Sequence, residues 1–370
     1  MAFMDSASQD HIFNSFTTIK KEEWLKAAQH ELDGANPFQK LVFEKGGLTI
    51  LPYYDEQDIS TKEHFQLKPS THEFLGARAW YNMPAIDVNG ETESHQKALS
   101  ELNSGADGII FNIKTTTTDV PALLNEIAWP YCVISITGDI SEQLLSRIHA
   151  HAIEKKYDVA TLTGCVFRNK PFGNEFGSFK LFENWNNFHP FGIKVEKKES
   201  LAEEIATALA QAVRQIDFLT DKGLSIKQTL QGQAFYVQID TDFFLNIAKL
   251  KVLRILWHNL AVSFDAHSDV ATFIHANSSS WIKKEYQPNG NLLKCTTAAL
   301  SAILGGCDAV TIAPEEDNTM MARVARNVSS VLREESHLSK VADPTAGSYY
   351  LETLVDQLTE SAWKKFQEIV

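Results

Sequence analysis

Residues 291–354 read NLLKCTTAALSAILGGCDAVTIAPEEDNTMMARVARNVSSVLREESHLSKVADPTAGSYYLETL. A helix rich in small residues is predicted over 294–304, and the Gly305-Gly306 pair that follows is typical of a helix end. A short apolar strand is predicted over 308–313, and a second helix begins near Asp317. The stretch therefore predicts a helix, a strand and a helix in succession, which suits the closing unit of an α/β fold.

The same alternation of short apolar strands and helices begins at Arg78. Eight strands are predicted, and each is followed by a connection long enough to cross over a sheet, as parallel strands require. Their bounds are 78–81, 108–113, 131–136, 160–166, 192–195, 234–239, 271–276 and 308–313. Eight such repeats predict the α/β class and a closed (β/α)8 barrel, a TIM barrel. An open, doubly wound sheet is the alternative.

An N-terminal arm is predicted over residues 1–76, ahead of a barrel over 77–370 that ends with a C-terminal helix. The apolar spacing in the arm predicts a helix over 20–32. A hairpin follows, with its turn at Lys45-Gly46-Gly47. Residues 52–76 are rich in Pro, Tyr and charge, and we expect them to lie extended on the barrel or on a partner.

One aromatic segment interrupts the alternation where the fourth barrel helix is expected. Residues 167–191 read FRNKPFGNEFGSFKLFENWNNFHPF. One interpretation is an irregular loop packed on the barrel. The other is a surface that plugs the barrel mouth or meets a partner, because aromatic residues are enriched in interfaces. The sequence does not favour either interpretation.

Composition limits the classes of function. The chain has 370 residues, a net charge of −13 and 44% hydrophobic residues. The negative charge argues against binding of nucleic acid or of an anionic membrane, and no apolar run reaches the length of a membrane span. The four cysteines lack metal-site spacing and are expected to be reduced thiols. Without a signal peptide at the N-terminus, the sequence predicts a cytoplasmic protein.

Several common catalytic motifs are absent: the phosphate-binding glycine loops, the HExxH zinc motif and the nucleophile elbow. In a barrel, chemistry lies at the C-terminal ends of the strands. Asp240 and His275 could face each other there. Asp240 also suits a helix cap before Phe243, and His275 lies in an apolar strand. The residues at the predicted strand ends are Tyr81, Asn82, Asn112, Lys114, Thr137, Arg168, Glu196, Gln238, Asp240, His275, Asn277 and 314–316.

Several segments resemble the barrel part of the methylmalonyl-CoA mutase family. The resemblance spans nearly the whole chain, is strongest over 240–354 and is weak over 60–235. The residues that carry it are Phe243-Phe244, 248–251, Arg254, Leu256-Trp257, 296–300, 304–306, 322–327, 334–336, 340–344 and 347–354, with Trp24, Pro37-Phe38, Gly47-Leu48 and 52–54 near the start.

The resemblance implies an assembly that uses adenosylcobalamin to interconvert methylmalonyl-CoA and succinyl-CoA, with CoA threaded through the barrel. In the family, cobalamin lies on a separate C-terminal domain with a D-x-H-x-x-G motif. The nearest string here, residues 265–270, ends in Val270 instead of Gly. We therefore expect no cobalamin-binding domain and no cobalamin bound to this chain alone.

The resemblance also predicts which site residues are kept. Approximate alignment places Gly192 and Ile193 where the catalytic subunit carries a Tyr-His pair, and His189 is out of register. The family's H-S-Q-T-S-G-W strand reads HANSSSW over 275–281 here. His275 and Asn277 are therefore the candidate substrate-binding residues, and no catalytic or metal-binding residue is predicted. Arg323 and Arg326-Asn327 are expected to be structural.

The sequence keeps the motifs that build the family's hydrophobic core but lacks the motifs that carry its catalytic residues. This combination is typical of the family's non-catalytic small subunit. The first hypothesis is therefore a subunit that supports a catalytic large subunit in a heterodimer. The second is a competent isomerase barrel that uses cobalamin bound on a separate chain, so whether this chain is itself an enzyme stays open. The third is a barrel that binds an acyl-CoA for regulation.

Overall fold

The structure is a computed structural model that describes residues 19–59, 75–115, 117–170, 177–264, 273–278, 289–316 and 318–370. Most of the predicted extended segment of the arm, the string at 265–270 and residues 279–281 of the candidate site lie outside these ranges. Its strands are β1 (Phe43–Lys45), β2 (Leu48–Ile50), β3 (Tyr81–Asn82), β4 (Ala85–Val88), β5 (Gly108–Ile113), β6 (Val133–Gly138), β7 (Gly164–Arg168), β8 (Phe188–Lys194), β9 (Ala234–Ile239), β10 (Phe273–Ser278) and β11 (Ala309–Thr311).

The α-helices are α1 (Lys21–Glu31), α2 (Pro37–Lys40), α3 (Glu91–Asn103), α4 (Val120–Leu123), α5 (Glu142–Glu154), α6 (Leu201–Asp221), α7 (Ile226–Gln231), α8 (Phe243–Phe264), α9 (Gly290–Gly305), α10 (Thr319–Glu334) and α11 (Tyr349–Ile369). Short 3₁₀ turns lie at Trp129–Tyr131, Val159–Thr161, Ser178–Phe182 and Leu338–Lys340.

The parallel sheet closes on itself. Its strand order is β3-β11-β10-β9-β8-β7-β6-β5-β4, so β3 and β4 stand at opposite ends, yet only Met83-Pro84 separates them along the chain. Met83 N donates to Val310 O at 3.0 Å, and Ile110 N donates to Pro84 O at 3.1 Å. The two segments are therefore one strand with a neighbour on each side. Eight strands form a closed barrel, and the predicted TIM-barrel fold is confirmed.

Two of the differences from the predicted strands involve a proline. The sequence did not indicate β4, because Pro84 interrupts the apolar run of the first strand and proline cannot donate to a ladder. Strand β8 was expected to begin at Gly192, after Pro190, but it begins at Phe188. Pro190 lies where the ladder is irregular, because β7 and β8 shift register between Cys165 and Phe167.

The last helix adds a second layer outside the barrel. Helix α11 packs along α6 and α8. Helix α8 is therefore covered by the sheet on one side and by helices on the other, and its residues from Leu245 to Trp257 are all buried. This is why its sequence is apolar around its whole circumference, as expected for a fully enclosed helix.

The arm packs on the barrel through its hairpin. Strands β1 and β2 are antiparallel, and Leu48 and Ile50 join the main hydrophobic core. Helix α1 differs, because none of its residues is buried. Its Trp24 stacks on Tyr53 at 4.7 Å between ring centroids and meets Phe38 edge-on at 5.7 Å. The predicted helix and hairpin are thus present, whereas the boundary at residue 76 stays a prediction.

The aromatic segment packs on the barrel over its described part, 177–191. A five-residue 3₁₀ turn stands in place of the fourth helix. Phe182, Trp185, Phe188 and Phe191 are all buried. Trp185 lies 5.1 Å from both Phe182 and Phe188, between ring centroids. The interpretation as a packed loop therefore holds for these residues.

A buried ionic network ties the barrel together at the N-terminal ends of its strands. Arg254 donates to Asp308 Oδ2 at 2.7 Å, and the same oxygen accepts Ile274 N at 2.7 Å. Lys251 donates to Asp343 Oδ2 at 2.8 Å. Both pairs lie at residues that carry the sequence resemblance, or directly beside them. The most recognisable motifs of the chain therefore build its scaffold.

Backbone carbonyl groups balance the surplus positive charge of this network. Arg78, which is 4% exposed, donates to Ile303 O at 2.7 Å and also to Ala342 O. Arg254 donates to Gly306 O at 2.7 Å. Ile303 and Gly306 lie at the C-terminal end of α9, where the helix dipole is negative. Three buried cations are thus accommodated by two carboxylates and a helix end.

Candidate functional site

Apolar side chains fill the lumen of the barrel. Successive residues of a strand face the lumen and the helices alternately, so Phe273 and His275 face inward whereas Ile274 and Ala276 pack under the helices. A separate buried cluster draws its members from nearly every barrel strand. Its members are Met83, Ile110, Val133, Cys165, Phe167, Ala234, Phe273 and Ala309.

Three rings form a plug in the upper part of the lumen. The ring centroid of Phe167 lies 5.1 Å from that of Tyr236 and 5.9 Å from that of His275, and Tyr236 lies 5.2 Å from His275. Phe167 and His275 are each 0% exposed. The three rings are in mutual contact and occupy the lumen beside β7, β9 and β10.

His275 is held as a neutral ring inside this plug. Its Nε2 lies 2.8 Å from Thr311 Oγ1, and Thr311 donates its own proton to Met83 O at 2.6 Å. Thr311 can therefore only accept from His275, which places the imidazole proton on Nε2. Nδ1 is buried without a hydrogen-bond partner among the described residues. Burial lowers the pKa of His275 from 6.5 to about 3.

This shift predicts acid sensitivity. Below pH 6.5 the unfolded chain protonates this residue, whereas the folded chain does not until about pH 3. The contribution of His275 to the free energy of unfolding is therefore fully present above pH 6.5. It falls by about 1.4 kcal/mol per pH unit below that, or roughly 2 kcal/mol at pH 5. Urea unfolding from pH 7 to 5 measures the slope, which we expect to be shallower in His275→Gln. The exposed His30→Gln variant is the control, and equal slopes in both variants would contradict the assignment.

Gly192 and Ile193 supply no acid or base. Gly192 faces the lumen, and a Cβ there would lie 2.6 Å from the ring of Phe167 and 2.6 Å from Val166 O. The space of a side chain at this position is thus taken by Phe167. Ile193 is 1% exposed and packs in the outer core beneath the helices. His189, the nearby histidine, uses its Nδ1 on Gln231 O at 2.7 Å.

Asn277 lies one step nearer the barrel mouth than His275, on the same face of β10. It is half-buried, and its backbone is in register with Gln238 of β9 and Thr311 of β11. The structure thus brings the two candidate residues together on one strand, with His275 inside the plug and Asn277 above it. Contact of either residue with a CoA ester stays a prediction.

Asp240 and His275 do not meet. Asp240 Oδ1 accepts Asp242 N at 3.0 Å, and its Oδ2 accepts Lys197 Nζ at 3.3 Å. Asn246 donates to Asp240 O at 3.0 Å. Asp240 thus shapes the turn before α8, and its side chain accepts from Asp242 N, which lies ahead of the helix, instead of capping the helix as expected.

Two polar rows cross the mouth above the plug. In the first, Asp87 accepts Lys114 Nζ at 2.7 Å and Asn112 Nδ2 at 2.8 Å. In the second, Asn169 lies between Asp139 and Lys194. Sequence analysis named Asn112 and Lys114 but missed Asp87, Asn169 and Lys194. Asp87 and Asn169 lie beyond the predicted ends of their strands, at residues 81 and 166, whereas Lys194 lies inside its predicted strand.

The arginines of α10 have different positions. Arg326 is buried and pairs with Glu101, and its carbonyl accepts Asn82 Nδ2 at 2.9 Å. Arg326 therefore ties α10 to α3 and to the first barrel strand. Arg323 and Asn327 are exposed. Arg333, which sequence analysis did not single out, donates to Asp107 Oδ2 at 2.7 Å and lies over the Trp80 ring.

The described residues form neither a metal-binding cluster nor a membrane span. No group of three His, Cys, Asp or Glu side chains there could hold a metal ion. In the same part of the chain, no helix is both long and apolar enough to cross a membrane. All four cysteines are free, as predicted, and burial raises the pKa of Cys132 and Cys307 to about 12.

The C-terminal half of the chain matches a known protein family. The family model described as methylmalonyl-CoA mutase matches residues 184–370, which is half of the sequence. The chain belongs to the methylmalonyl-CoA mutase family. The predicted resemblance is thus confirmed.

Relatives of this mutase-family chain include proteins named as small subunits. The methylmalonyl-CoA mutase small subunit of Porphyromonas gingivalis is 26% identical, over 98% of this chain and 64% of its own length. The small subunit of Streptomyces virginiae is 38% identical, over 47% of this chain and 29% of its own length. The methylmalonyl-CoA mutase of Cereibacter sphaeroides is 31% identical, over 94% of this chain and 58% of its own length.

The chain spans less than two thirds of the length of each of these relatives. Among solved structures, the dihydropteroate synthase of Stenotrophomonas maltophilia covers 69% of this chain and 94% of its own length at 12% identity. Its TM-score is 0.41.

Proposed function

We propose that this chain is the non-catalytic small subunit of an adenosylcobalamin-dependent methylmalonyl-CoA mutase. The assembly would interconvert methylmalonyl-CoA and succinyl-CoA in the cytoplasm, and a catalytic large subunit would carry the reaction. The role of this chain would be to bind and support that subunit. Its similarity to proteins named as small subunits supports the proposal.

The plugged lumen is the observation that carries the proposal. A barrel that threads CoA along its axis needs an open lumen, and here Phe167, Tyr236 and His275 occupy it in mutual contact. The positions aligned with the family's Tyr-His pair hold a glycine covered by Phe167 and an isoleucine that faces the helices. Neither position can move a proton.

The environment of His275 bears on where adenosylcobalamin would bind. His275, the histidine of the plug, has its Nε2 engaged by Thr311 and its Nδ1 buried. It therefore presents no ring nitrogen to a cobalt ion above the mouth. The proposal accordingly assigns the cofactor to another chain of the assembly.

The arm is the proposed contact with the large subunit. Helix α1 has 11 residues and buries none of them, and helices of this length are marginal in water unless they are packed against something. Phe43 and Leu41, beside it, are 51% and 43% exposed. An exposed aromatic residue on a docked hairpin suits an interface anchor.

Co-expression with a large mutase subunit tests the proposal. We expect a one-to-one complex by native mass spectrometry. Phe43→Ser, which removes the proposed anchor, should weaken the affinity for the large subunit about tenfold or more. The matched control is Tyr131→Ser, which alters an aromatic residue that is 91% exposed and belongs to the 3₁₀ turn ahead of β6. A chain that stays alone at micromolar concentration contradicts the proposal.

The same samples distinguish this proposal from the alternative, in which the chain is itself a competent isomerase. If this chain were a competent isomerase, it would turn over methylmalonyl-CoA with cobalamin supplied on a separate chain, and His275→Gln or Asn277→Ala would abolish that activity. We expect no turnover without the large subunit. Turnover by this barrel would overturn the non-catalytic assignment.

A further inference from the structure

A pocket opens on the outer side of the sheet, beside the N-terminal ends of β8 and β9. It has a volume of about 100 Å³ and lies between α7, the start of β8 and the aromatic segment. The chemistry of a barrel lies at the opposite ends of the strands. The pocket is therefore separate from the plug and the mouth, and the proposed function makes no use of it.

Aromatic rings form the floor of this pocket. Phe182, Trp185, Phe188 and Phe191 line it and are between 2% and 6% exposed. The rings of Phe182 and Phe188 are stacked with an interplanar angle of 16°, and Trp185 lies edge-on to both at 5.1 Å between centroids. Flat rings pack face-on or edge-on against such a surface, so the floor favours an aromatic ligand.

The indole N–H of Trp185 is buried and has no hydrogen-bond partner in the part of the chain that the structure describes. An indole nitrogen can only donate, and the rings of Phe182, Phe188 and Trp129 packed around it carry no acceptor. His149, whose ring centroid lies 6.0 Å away, makes no hydrogen bond to it either. A buried donor without a partner is costly. Because Trp185 lines the pocket, a ligand bound there can bring the acceptor.

A side-chain hydrogen bond joins the two walls of the pocket. Gln228 of α7 donates to Glu183 Oε1 at 2.9 Å, and its own Oε1 accepts Ser225 N at 2.9 Å. The first of these contacts ties α7 to the aromatic segment, and both ends of the amide are engaged. The pocket is therefore formed before a ligand arrives, as small-molecule sites usually are.

Charge and size restrict the ligand. Among the described residues that line the pocket, Lys180 and Glu183 are charged, and their opposite charges favour a neutral compound. An enclosed cavity of about 150 Å³ holds benzene, whereas drug-sized ligands need about 300–1,000 Å³. At about 100 Å³, this open pocket has room for a single ring that keeps one edge in solvent.

We propose that this pocket binds a neutral compound with a single heteroaromatic ring. The ring lies against Phe182, Trp185 and Phe188, and a ring nitrogen or carbonyl oxygen accepts the Trp185 N–H. All of these residues belong to this chain, so binding needs no partner subunit.

Titration of the whole chain at pH 8 with pyridine, and in parallel with benzene, tests the proposal. The two rings have the same shape, and only pyridine carries an acceptor. With pyridine, we expect a saturable downfield shift of the Trp185 indole signal in the ¹H–¹⁵N spectrum and a Kd of about 1 mM. Benzene should bind about fivefold more weakly, which is the effect of one neutral hydrogen bond, and without the downfield shift.

Matched variants decide the outcome. Trp185→Phe keeps a ring but removes the N–H, and it should bind pyridine and benzene with equal affinity. Trp363→Phe, the same change in an α11 residue that does not line the pocket, should bind both as the unaltered chain does. Absence of saturable pyridine binding by the unaltered chain overturns the proposal, as does an unchanged preference for pyridine in Trp185→Phe. Equal binding of the two rings by the unaltered chain overturns the role of Trp185 as donor, and this comparison decides even if Trp185→Phe does not fold.

Discussion

Replacing Arg254 with Met is expected to lower the free energy of unfolding by about 3–5 kcal/mol, because it leaves a buried carboxylate without its cation. Arg254 and Asp308 have side chains that are 9% and 7% exposed and meet at 2.7 Å. The change also removes the donor to Gly306 O at the end of α9. Urea unfolding followed by circular dichroism measures the loss.

The exposed pair at the opposite end of the barrel is the control for this prediction. Lys114 and Asp87 also meet at 2.7 Å, but their side chains are 50% and 53% exposed. Because water and salt screen such a pair, Lys114→Met should cost about 0–1 kcal/mol. Equal losses in the two variants would show that burial does not set the strength of the network.

Phe167→Ala is expected to destabilise the chain by about 3–5 kcal/mol, because it empties the centre of the plug. Phe167 is 0% exposed and contacts Tyr236 and His275. Gly192 beneath it has no side chain to refill the space. The cavity left behind lies between the Tyr236 and His275 rings and the apolar cluster of the lumen, and we expect it to bind benzene. Chemical unfolding with and without benzene tests both effects.

Phe244→Ala is the matched control, since it removes the same ring from a residue that is 47% exposed. We expect it to cost less than about 1 kcal/mol, in the range of surface substitutions, and to create no site for benzene. A small loss of unfolding free energy in Phe167→Ala would mean that the lumen collapses readily around the missing ring. In that case, the plug would be a weak barrier to a ligand along the axis.

Continuous apolar runs made much of the fold predictable from sequence. Strands Gly108–Ile113 and Ala234–Ile239 were predicted with their observed bounds, because strands covered on both faces are apolar throughout. The first strand was harder to predict. Pro84 divides it, and nothing local shows that the residues on either side belong to one ladder that closes the ring.

The site was less predictable, because it depends on side chains far apart in sequence. Asn169 and Lys194 were missed although both stand at strand ends, since the predicted strand before Asn169 stopped at Val166. The plugging role of Phe167 follows from register: only the pairing of Phe167 with Gly192 places its ring in the lumen. Alignment marked Gly192 as a lost catalytic position, but could not show what fills it.

Closure of the barrel at Met83-Pro84 has a consequence for the order of synthesis. The contact between Thr311 and Met83 joins residues 228 positions apart. A ribosome that adds about 5–20 residues per second needs roughly 10–45 s between making one and making the other. Throughout that interval the first strand has an open edge that only β11 can cover. We therefore expect the nascent chain to depend on a chaperone until its final strand emerges, since unpaired strand edges invite aggregation.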